Sequence, residues 1–225
     1  MATPYVCVEL GTVVSTQREA RTRFMGSPLL VIAEGQTGGR GRLGRDWIQA
    51  PRAVSASLAF EPGWPESRRG VVPLIAGLAA GEVAGKGVSL KWPNDLMLGG
   101  RKVGGILVEA AGPLVVVGLG LNLWWPHPIE GAGALFDVDP GPQTPGWVAE
   151  QWADGFLARM ARGSGGWGRE EYSSVCSTLG RQVTWEPDGS GTAVAIDGDG
   201  GLVVSTCGGE VVLDSGEVSE VRPAS

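Results

Sequence analysis

The sequence contains few of the residues from which nucleophilic or zinc-dependent sites are built. Its 225 residues include one histidine and three cysteines. Cys7, Cys176 and Cys207 are far apart in the chain and odd in number, so we expect reduced thiols rather than a disulfide framework or a zinc site. His127 lies in a proline-rich segment, and the sequence shows no nucleophile–histidine–acid arrangement around it. This shortage argues against chemistry that passes through an acyl-enzyme.

Long apolar runs and a surplus of positive charge are also missing. The longest apolar run, residues 71–80, is interrupted by Pro73 and Gly77 and is far too short to span a bilayer. Residues 1–11 have no basic residues ahead of an apolar run, so no signal peptide is expected. The formal net charge is -6, which disfavours nucleic-acid binding through phosphate contacts. We therefore expect a soluble cytoplasmic protein that binds neither membranes nor DNA.

Glycine and apolar residues, by contrast, are plentiful. The chain has 38 glycines and 15 prolines, and 43% of its residues are hydrophobic. This hydrophobic fraction is high enough for a folded core, whereas the glycines and prolines favour turns and short strands over a helix bundle. A chain of this length accommodates one sizeable domain, or one domain with a small addition.

Short strands and helices alternate in the first part of the chain. Ser15 opens a predicted helix in which Thr16 and Glu19 have the spacing of a capping box. Thr144 followed by Pro145 has the pattern of another helix start. Apolar periodicity predicts further helices over 66–84 and around 172–179, and strands over 6–14, 29–33, 54–60, 88–92, 96–98, 103–109 and 114–123.

The last 45 residues have a different pattern. Asp-Gly and Gly-Gly pairs separate short segments of strand character, which predicts a small β-barrel. We therefore place an α+β domain at residues 1–178 and a barrel at residues 179–225. The four strands predicted for the barrel are 181–185, 192–197, 202–206 and 210–213.

A glycine- and arginine-rich segment is the most distinctive feature of the sequence. Gly39, Gly41 and Gly44 have the spacing of a dinucleotide-binding fingerprint. That fingerprint requires a helix to follow, because the helix N-terminus holds the pyrophosphate. Trp47, Pro51 and an alternating strand follow instead, so we reject this interpretation.

What remains is a loop with a permissive backbone that carries Arg40, Arg42 and Arg45. Such a loop can approach phosphate groups closely and neutralise them with guanidinium groups. We expect residues 35–45 to lack order until an anion binds. The alternative is a solvated basic loop without a ligand.

A second segment contains Lys91-Trp92-Pro93-Asn94-Asp95, and Lys102 follows a hairpin signal at residues 99–100. A lysine at the start of a packed strand can neutralise a carboxylate or a phosphoryl oxygen. Gly104 and Gly105 within the strand indicate a group that passes close to the backbone. Asn94 and Asp95 are equally consistent with an ordinary turn.

Two further segments give weaker signals. Over residues 117–122 glycines alternate with large aliphatic residues, which leaves one strand face bare. A bare face can admit a flat ring, or it can accommodate a closely packed neighbouring element. In Ser15-Thr16-Gln17, helix capping alone accounts for the residue types.

Together these segments resemble the bacterial biotin protein ligases over nearly the whole chain. The resemblance is to a short form that lacks an N-terminal DNA-binding domain, since the first strand begins at about Val6. It implies an α+β fold, with a mixed β-sheet and helices on one face as in class II synthetase-like biotin and lipoate ligases, plus a small C-terminal SH3-like β-barrel. The motifs that carry it are residues 39–47 with Gln36 upstream, 91–95 with 101–102 and 105–107, the strand ending in Asn122, and the C-terminal segments 180–181, 200–202 and 216–219.

The resemblance also implies roles for individual residues. Arg42 and Lys102 match the residues that act on the reacting groups, and Gln17 stands where the family has asparagine. Magnesium is expected with the nucleotide, through ligands that the resemblance does not identify. The biotin site implied is Ser15, Thr16, Gln17, Gln36, Arg40, Gly41, Arg42, Lys102 and Gly105, and the nucleotide site is Arg42, Trp47, Asn94, Asp95, Lys102 and Asn122.

The activity implied is ATP-dependent ligation in two steps. Biotin is activated as biotinyl-5'-AMP with release of pyrophosphate, and is then transferred to a lysine of a biotin carboxyl carrier domain of acetyl-CoA carboxylase or a related carboxylase. The alternatives are a lipoate–protein ligase, a DNA-binding biotin repressor and a biotin-binding protein without catalysis. The oligomeric state, monomer or weak homodimer, stays open.

Overall fold

A mixed β-sheet forms the centre of the larger part of the molecule. The structure, a computed structural model, describes residues 4–214 and 219–220 of the chain. The first seven strands are β1 (Val6–Val13), β2 (Leu29–Gln36), β3 (Arg52–Phe60), β4 (Val88–Lys91), β5 (Asp95–Leu98), β6 (Arg101–Ala111) and β7 (Leu114–Trp124). They are ordered β1-β2-β3-β7-β6-β5-β4. β1 pairs with β2 in parallel, and the other neighbouring pairs are antiparallel.

Side-chain alternation along β3 and β7 gives the sheet two different faces. Val54 and Leu58 of β3 point to the same face as Val117 and Leu121 of β7, and all belong to the main hydrophobic core. The alternating residues point to the second face and are mostly small: they are Ser55, Ser57, Gly118 and Gly120. The first face therefore supplies stability, while the second face has room for other groups.

In the part of the chain that the structure describes, the α-helices around the sheet are α1 (Thr16–Arg23), α2 (Val72–Ala84), α3 (Thr144–Met160) and α4 (Arg169–Val175). α2 and α3 pack on the first face, where Phe60 and Phe156 make an edge-to-face contact with ring centroids 5.4 Å apart. α1 packs on the second face, where Ala20 joins a separate cluster with Val31 and Val116. The fold class is thus confirmed, with one short helix added to the face opposite the two long helices. Within the described residues, no helix has the length and apolar character needed to cross a membrane.

Both predicted side-chain caps are wrong. The hydroxyl of Thr16 lies inside the molecule and bonds to tertiary partners, while Glu19 accepts a hydrogen bond from Arg23 at 3.0 Å rather than capping the helix. The Thr144 hydroxyl donates to the carbonyl of Pro140 at 2.8 Å, and the N-cap position belongs to the preceding residue. Both threonine hydroxyls therefore bond to partners outside their helices, and Glu19 pairs with Arg23 one turn along α1.

Two helix boundaries also differ from the predictions. Glu66–Val71 forms a 3-10 segment, and α2 begins only at Val72, with a proline in its first turn. The last helix ends at Val175 rather than at the glycine that follows residue 179. Cys176 bridges in parallel to Leu90 of β4, so sheet pairing ends the helix early.

The C-terminal part is the small antiparallel β unit that the turn signals predicted. Strand pairing follows the order β11-β10-β9-β8-β12. Its fifth strand was not predicted, because two residues are too short to give a periodic signal. The strands are β8 (Gln182–Trp185), β9 (Gly189–Ile196), β10 (Leu202–Thr206), β11 (Gly209–Leu213) and β12 (Ser219–Glu220).

Two buried indole groups connect this β unit to the larger part. Trp92 donates from Nε1 to the carbonyl of Gly200 at 2.9 Å, and Trp167 donates to that of Gly198 at 3.0 Å. Ile196 of the β unit belongs to the same hydrophobic cluster as the first face of the large sheet. The two parts thus share one core, and a domain boundary between residues 178 and 179 stays a prediction.

A buried arginine connects three helices. Arg159 of α3 is only 4% exposed, and its Nη2 lies 2.6 Å from carboxylate oxygens of both Glu82 of α2 and Glu171 of α4. The hydrogen bond from Arg159 lowers the pKa of Glu171, although burial opposes this effect. The same contacts raise the pKa of Arg159. The buried cation is thus compensated by two carboxylates, as a buried charge requires.

The Glu171→Gln substitution should lower the free energy of unfolding, and the loss relative to the native chain should be larger at neutral pH than at acid pH. Because the pKa of Glu171 is lowered on folding, its ionised form stabilises the fold above the ordinary carboxyl range, and this contribution is lost as pH falls through the folded value. Since the side chain is partly exposed, we expect a loss of about 1 kcal/mol at pH 7. Urea unfolding between pH 3 and pH 8 measures it. Glu170→Gln, at an exposed neighbour, is the control and should cause a smaller loss at pH 7; equal losses for the two substitutions would contradict this prediction.

Candidate active site

A cavity of about 370 Å³ opens on the second face of the large sheet. The N-terminus of α1, the loop between β2 and β3, the turn between β4 and β5, and strands β6 and β7 surround it. All but one of the predicted site residues line this cavity: Ser15, Thr16, Gln17, Gln36, Arg40, Gly41, Arg42, Trp47, Asn94, Asp95, Lys102 and Gly105. Residues from five separate segments are therefore gathered where the sheet carries small side chains.

The glycines of β6 and β7 allow close approach to the sheet. A Cβ atom at Gly120 would lie 2.6 Å from Cε2 of Trp47, closer than any real contact allows. At Gly118 a Cβ would lie 3.3 Å from the Gln17 amide, and at Gly105 it would lie 3.6 Å from the Trp47 ring. In this structure the bare strand face is covered by the indole of Trp47 from the neighbouring loop, which is the close packing of a neighbouring element that the sequence also allowed. Entry of a ligand ring at this face stays a prediction.

The arginine-rich loop between β2 and β3 is closed by its own backbone. Gly41 donates its N–H to the carbonyl of Arg45 at 2.7 Å, and Trp47 donates to that of Gly39 at 2.9 Å. Leu43 has φ 56°, in the left-handed region that residues other than glycine rarely adopt. The loop therefore folds back on itself beside the cavity. The expectation that an anion orders it stays a prediction.

Arg42 is held at the cavity by an amide on the neighbouring turn. Its Nη1 donates to Oδ1 of Asn94 at 3.1 Å, and Asn94 donates from Nδ2 to the carbonyl of Ile106 at 3.0 Å. Burial lowers the pKa of the Arg42 guanidinium; Asp95 opposes this shift, and Arg45 adds to it. Arg42 remains a cation at neutral pH, but a partly desolvated one that a bound anion would stabilise.

Lys102 supplies the second cation. Its Nζ lies 2.6 Å from Oδ1 of Asp95 and 5.9 Å from the centre of the Trp47 ring. The backbone of Lys102 is fixed as well, since its N–H donates to Gly131 and its carbonyl accepts from Gly133, each at 2.9 Å. The ammonium group is thus positioned from both the main chain and the side chain.

A chain of polar groups lines the side of the cavity next to α1. Oε1 of Gln36 accepts from the backbone N–H of Thr16 at 2.9 Å and from its hydroxyl at 3.2 Å. Ser57 in turn donates to the Thr16 hydroxyl at 2.8 Å. The Ser15-Thr16-Gln17 segment therefore lines the cavity and is more than a helix cap, while its contact with a ligand stays a prediction. Sequence reasoning missed Ser57 because a small polar residue in a strand gives no signal of its own.

Asn122 is the predicted residue that does not line the cavity. It is buried, and its Nδ2 donates to the carbonyl of Gly133 at 3.1 Å, while Oδ1 has no partner among the described residues. Its contact with a nucleotide stays a prediction. Arg45, Asp46 and Lys91 line the cavity without having been assigned a role, although each belongs to one of the two motifs singled out from the sequence.

A second groove, of about 730 Å³, has a different character. Its charged lining includes Glu9, Glu34 and Glu150, and its cation, Arg52, is paired with Asp139 at 2.9 Å. Anionic ligands are disfavoured there because the carboxylates are in excess. The chemistry of phosphate and carboxylate ligands therefore points to the first cavity.

Comparisons with known proteins agree with this geometry. Residues 10–122 match the model of the biotin/lipoate A/B protein ligase family, and residues 178–219 match that of the biotin protein ligase C-terminal domain. A biotin–[acetyl-CoA-carboxylase] ligase of Mycobacterium tuberculosis is 33% identical over 213 residues, which cover 86% of this chain and 79% of that protein. One of Paracoccus denitrificans is 28% identical over 220 residues, covering 84% and 88%.

Among solved structures, the biotin protein ligase of Aquifex aeolicus in complex with biotin and ATP superposes with a TM-score of 0.82. The two chains are 27% identical, and the match covers 97% of this chain and 99% of that one. The chain therefore belongs to the biotin/lipoate A/B protein ligase family. Within that family, its C-terminal β unit is of the kind found in biotin protein ligases.

The Gly120→Ala substitution should destabilise the fold by forcing the Trp47 ring off β7. Since the added Cβ would lie 2.6 Å from that ring, we expect a loss of about 1–3 kcal/mol in the free energy of unfolding, measured by urea denaturation. Gly11→Ala is the matched control, because Gly11 also lies in a strand but has open space at its Cβ position. Removing the indole with Trp47→Leu should make Gly120→Ala nearly neutral. A full effect in that background would show that Trp47 is not the obstacle.

Proposed function

We propose that this chain is a biotin protein ligase that activates biotin with ATP and transfers it to a lysine of a biotin carboxyl carrier domain. The observation that carries the proposal is the convergence of Arg42 and Lys102 on one cavity, beside the polar chain of Thr16 and Gln36. Relatives named biotin–[acetyl-CoA-carboxylase] ligase, and a similar structure that holds biotin and ATP, support the choice of substrates.

Arg42 and Lys102 reduce the repulsion between the two anionic substrates in the first step. The biotin carboxylate must approach the α-phosphorus of ATP, so two anions are brought together. Arg42 and Lys102 offset this repulsion and stabilise the charge that develops on the phosphoryl oxygens and on the departing pyrophosphate. Asp95 holds Lys102 in place, and a phosphate oxygen could bind the same ammonium group.

The cavity has few carboxylates with which to hold a metal ion. Asp46 and Asp95 line it, and the described part of the chain contains no cluster of three His, Cys, Asp or Glu side chains placed to bind a metal. Mg²⁺ in nucleotide enzymes takes one or two carboxylates and completes its shell with phosphate oxygens and water. The residues present fit an ion that enters with ATP, with Asp95 as its carboxylate ligand. When bound, the ion adds positive charge beside the phosphates.

The second step needs the mixed anhydride to survive until the acceptor arrives. The loop around Arg42 covers one side of the cavity, and its closure over the intermediate would exclude water. The acceptor lysine then attacks the biotinyl carbonyl carbon, its amine loses a proton, and AMP leaves with the bonding electron pair. A biotin-binding protein without catalysis would not require both cations at the phosphoryl position.

Lys102→Ala and Arg42→Ala should each lower the rate of biotinyl-AMP formation roughly 100-fold, because each removes about 3 kcal/mol of charge stabilisation in the transition state. Pyrophosphate release measures the first step, and the mass gain of a carboxyl carrier domain measures the complete reaction. Lys86→Ala, at an exposed lysine remote from the cavity, is the control and should keep native rates. A correctly folded Lys102→Ala chain with full adenylation would remove that lysine from the mechanism.

Biotin should stabilise the native chain against heat, whereas lipoate at the same concentration should not. A ligand at about 100 times its Kd adds about 2.7 kcal/mol to the free energy of unfolding, which raises Tm by roughly 5–10 °C in a chain of this size. Thermal unfolding with each ligand separates the two branches of the family. A larger shift with lipoate would favour the lipoate ligase alternative.

A further inference from the structure

Strands β6 and β7 separate at the end that carries Lys102, and another segment of the chain fills the gap. Their pairing begins at Gly104 of β6 and Leu121 of β7, although β6 starts three residues earlier. Residues 131–136, which we call the wedge, form a parallel bridge to Lys102 on one side and to Trp124 on the other. The wedge therefore lies beside Lys102 where β7 would otherwise pair with it.

Backbone hydrogen bonds connect the wedge to both strands. On the β6 side, Lys102 donates its N–H to Gly131 and accepts at its carbonyl from Gly133, each at 2.9 Å. On the β7 side, Leu135 donates its N–H to the carbonyl of Asn122 at 3.0 Å. Both polar groups of the Lys102 main chain are thus satisfied by the wedge, so the position of Lys102 follows the position of the wedge.

The Asn122 side chain adds a further bond to the wedge. It is 3% exposed, and its Nδ2 donates to the carbonyl of Gly133 at 3.1 Å. Gly133 is itself buried, and a buried carbonyl that loses its donor is unfavourable. Without this amide, Gly133 would therefore shift toward water. Because its N–H also holds the Lys102 carbonyl, Lys102 would move with it.

The wedge lies close against the residues on either side of Lys102. A Cβ atom at Gly133 would lie 3.0 Å from Cβ of Arg101 and 3.4 Å from Cγ1 of Val103. The first distance is shorter than ordinary contacts allow, so only glycine lets the wedge approach β6 to this extent. A displaced wedge can thus move only away from β6, which would open the bonds to Lys102.

We propose that Asn122 is a positioning residue for Lys102, which acts through Gly133 of the wedge and keeps the ammonium group at the phosphoryl position of the cavity. This inference rests on the proposed function, in which Lys102 stabilises developing charge. Asp95 holds the amine at 2.6 Å, and the wedge holds the main chain, so the two ends of the side chain are fixed separately. Misplacing a catalytic group by about 1 Å can lower a rate by up to 100-fold.

Hydrogen exchange, followed by NMR, tests the positioning without any substrate. In Asn122→Leu the Lys102 amide should exchange about tenfold faster than in the native chain, whereas the Ile106 amide, which donates to Asn94, should keep its native rate. Val117→Ala is the control, because it removes methyl groups buried on the opposite face of β7, and it should leave the ratio of the two rates unchanged. Equal acceleration at both amides of Asn122→Leu would overturn the proposal.

The kinetics of the first step distinguish positioning from a direct contact with the nucleotide. Asn122→Leu should lower kcat for pyrophosphate release about tenfold, while the Kd of ATP, measured by calorimetry, stays near native. Adding Asn122→Leu to Lys102→Ala should cause no further loss, since both substitutions act on the same ammonium group. An additive loss, or weaker ATP binding with native kcat, would overturn the positioning role.

Gly133→Ala displaces the wedge without altering Asn122. It should also lower kcat and accelerate exchange at the Lys102 amide, and Gly165→Ala, where the Cβ position is open, should keep native values. This variant carries the test if Asn122→Leu does not fold, because native kcat in a folded Gly133→Ala chain would remove the wedge from the mechanism. Absence of biotinyl-AMP formation by the native chain would instead contradict the proposed function, whatever the exchange rates show.

Discussion

The site depends on one constraint: β7 carries no side chain at two alternating positions of the same face. Gly118 lies beneath the Gln17 amide, and Gly120 lies beneath the Trp47 indole, so neither group could approach the sheet over any other residue. The intervening residues of β7 point the other way into the main core, where Val117 and Leu121 are fully buried. One strand thus provides packing on one face and space on the other, and the cavity is placed against a central strand of the large sheet.

The charges that line the cavity determine which ligands it favours. Arg42 is partly buried and donates a hydrogen bond to the neutral amide of Asn94, while Lys102 forms an ion pair with Asp95. Each cation therefore has a described partner that helps to fix its position. The second groove has the opposite balance, with carboxylates in excess. The two grooves thus differ in charge balance, and this difference rather than their size favours anionic ligands in the first cavity.

Most of the strands and the two motifs that line the cavity could be predicted from the sequence. The features that were missed or predicted wrongly have physical causes. Alternation and apolar runs located the first seven strands, and the two motifs located Arg42 and Lys102, because these signals are local. The helix caps were wrong because Thr16 and Thr144 bond to distant or irregular segments. The contact of Gln17 with Glu109 joins residues 92 positions apart, and the packing of α1 on the sheet together with the register of β6 on β7 brings them together. Local periodicity contains no information of that kind.

The turn that carries Asn94 connects the small β unit to the cavity. On one side of the turn, Trp92 is buried, donates its indole N–H to Gly200 and receives support from Thr178, whose hydroxyl accepts from its backbone N–H at 3.0 Å. On the other side, Asn94 and Ile106 exchange hydrogen bonds at 2.8 and 3.0 Å. The short segment 92–95 therefore contacts the C-terminal part through Trp92 and β6 through Asn94. Because Asn94 binds Arg42 and Asp95 binds Lys102, the segment on which the β unit docks also carries the partners of both cations.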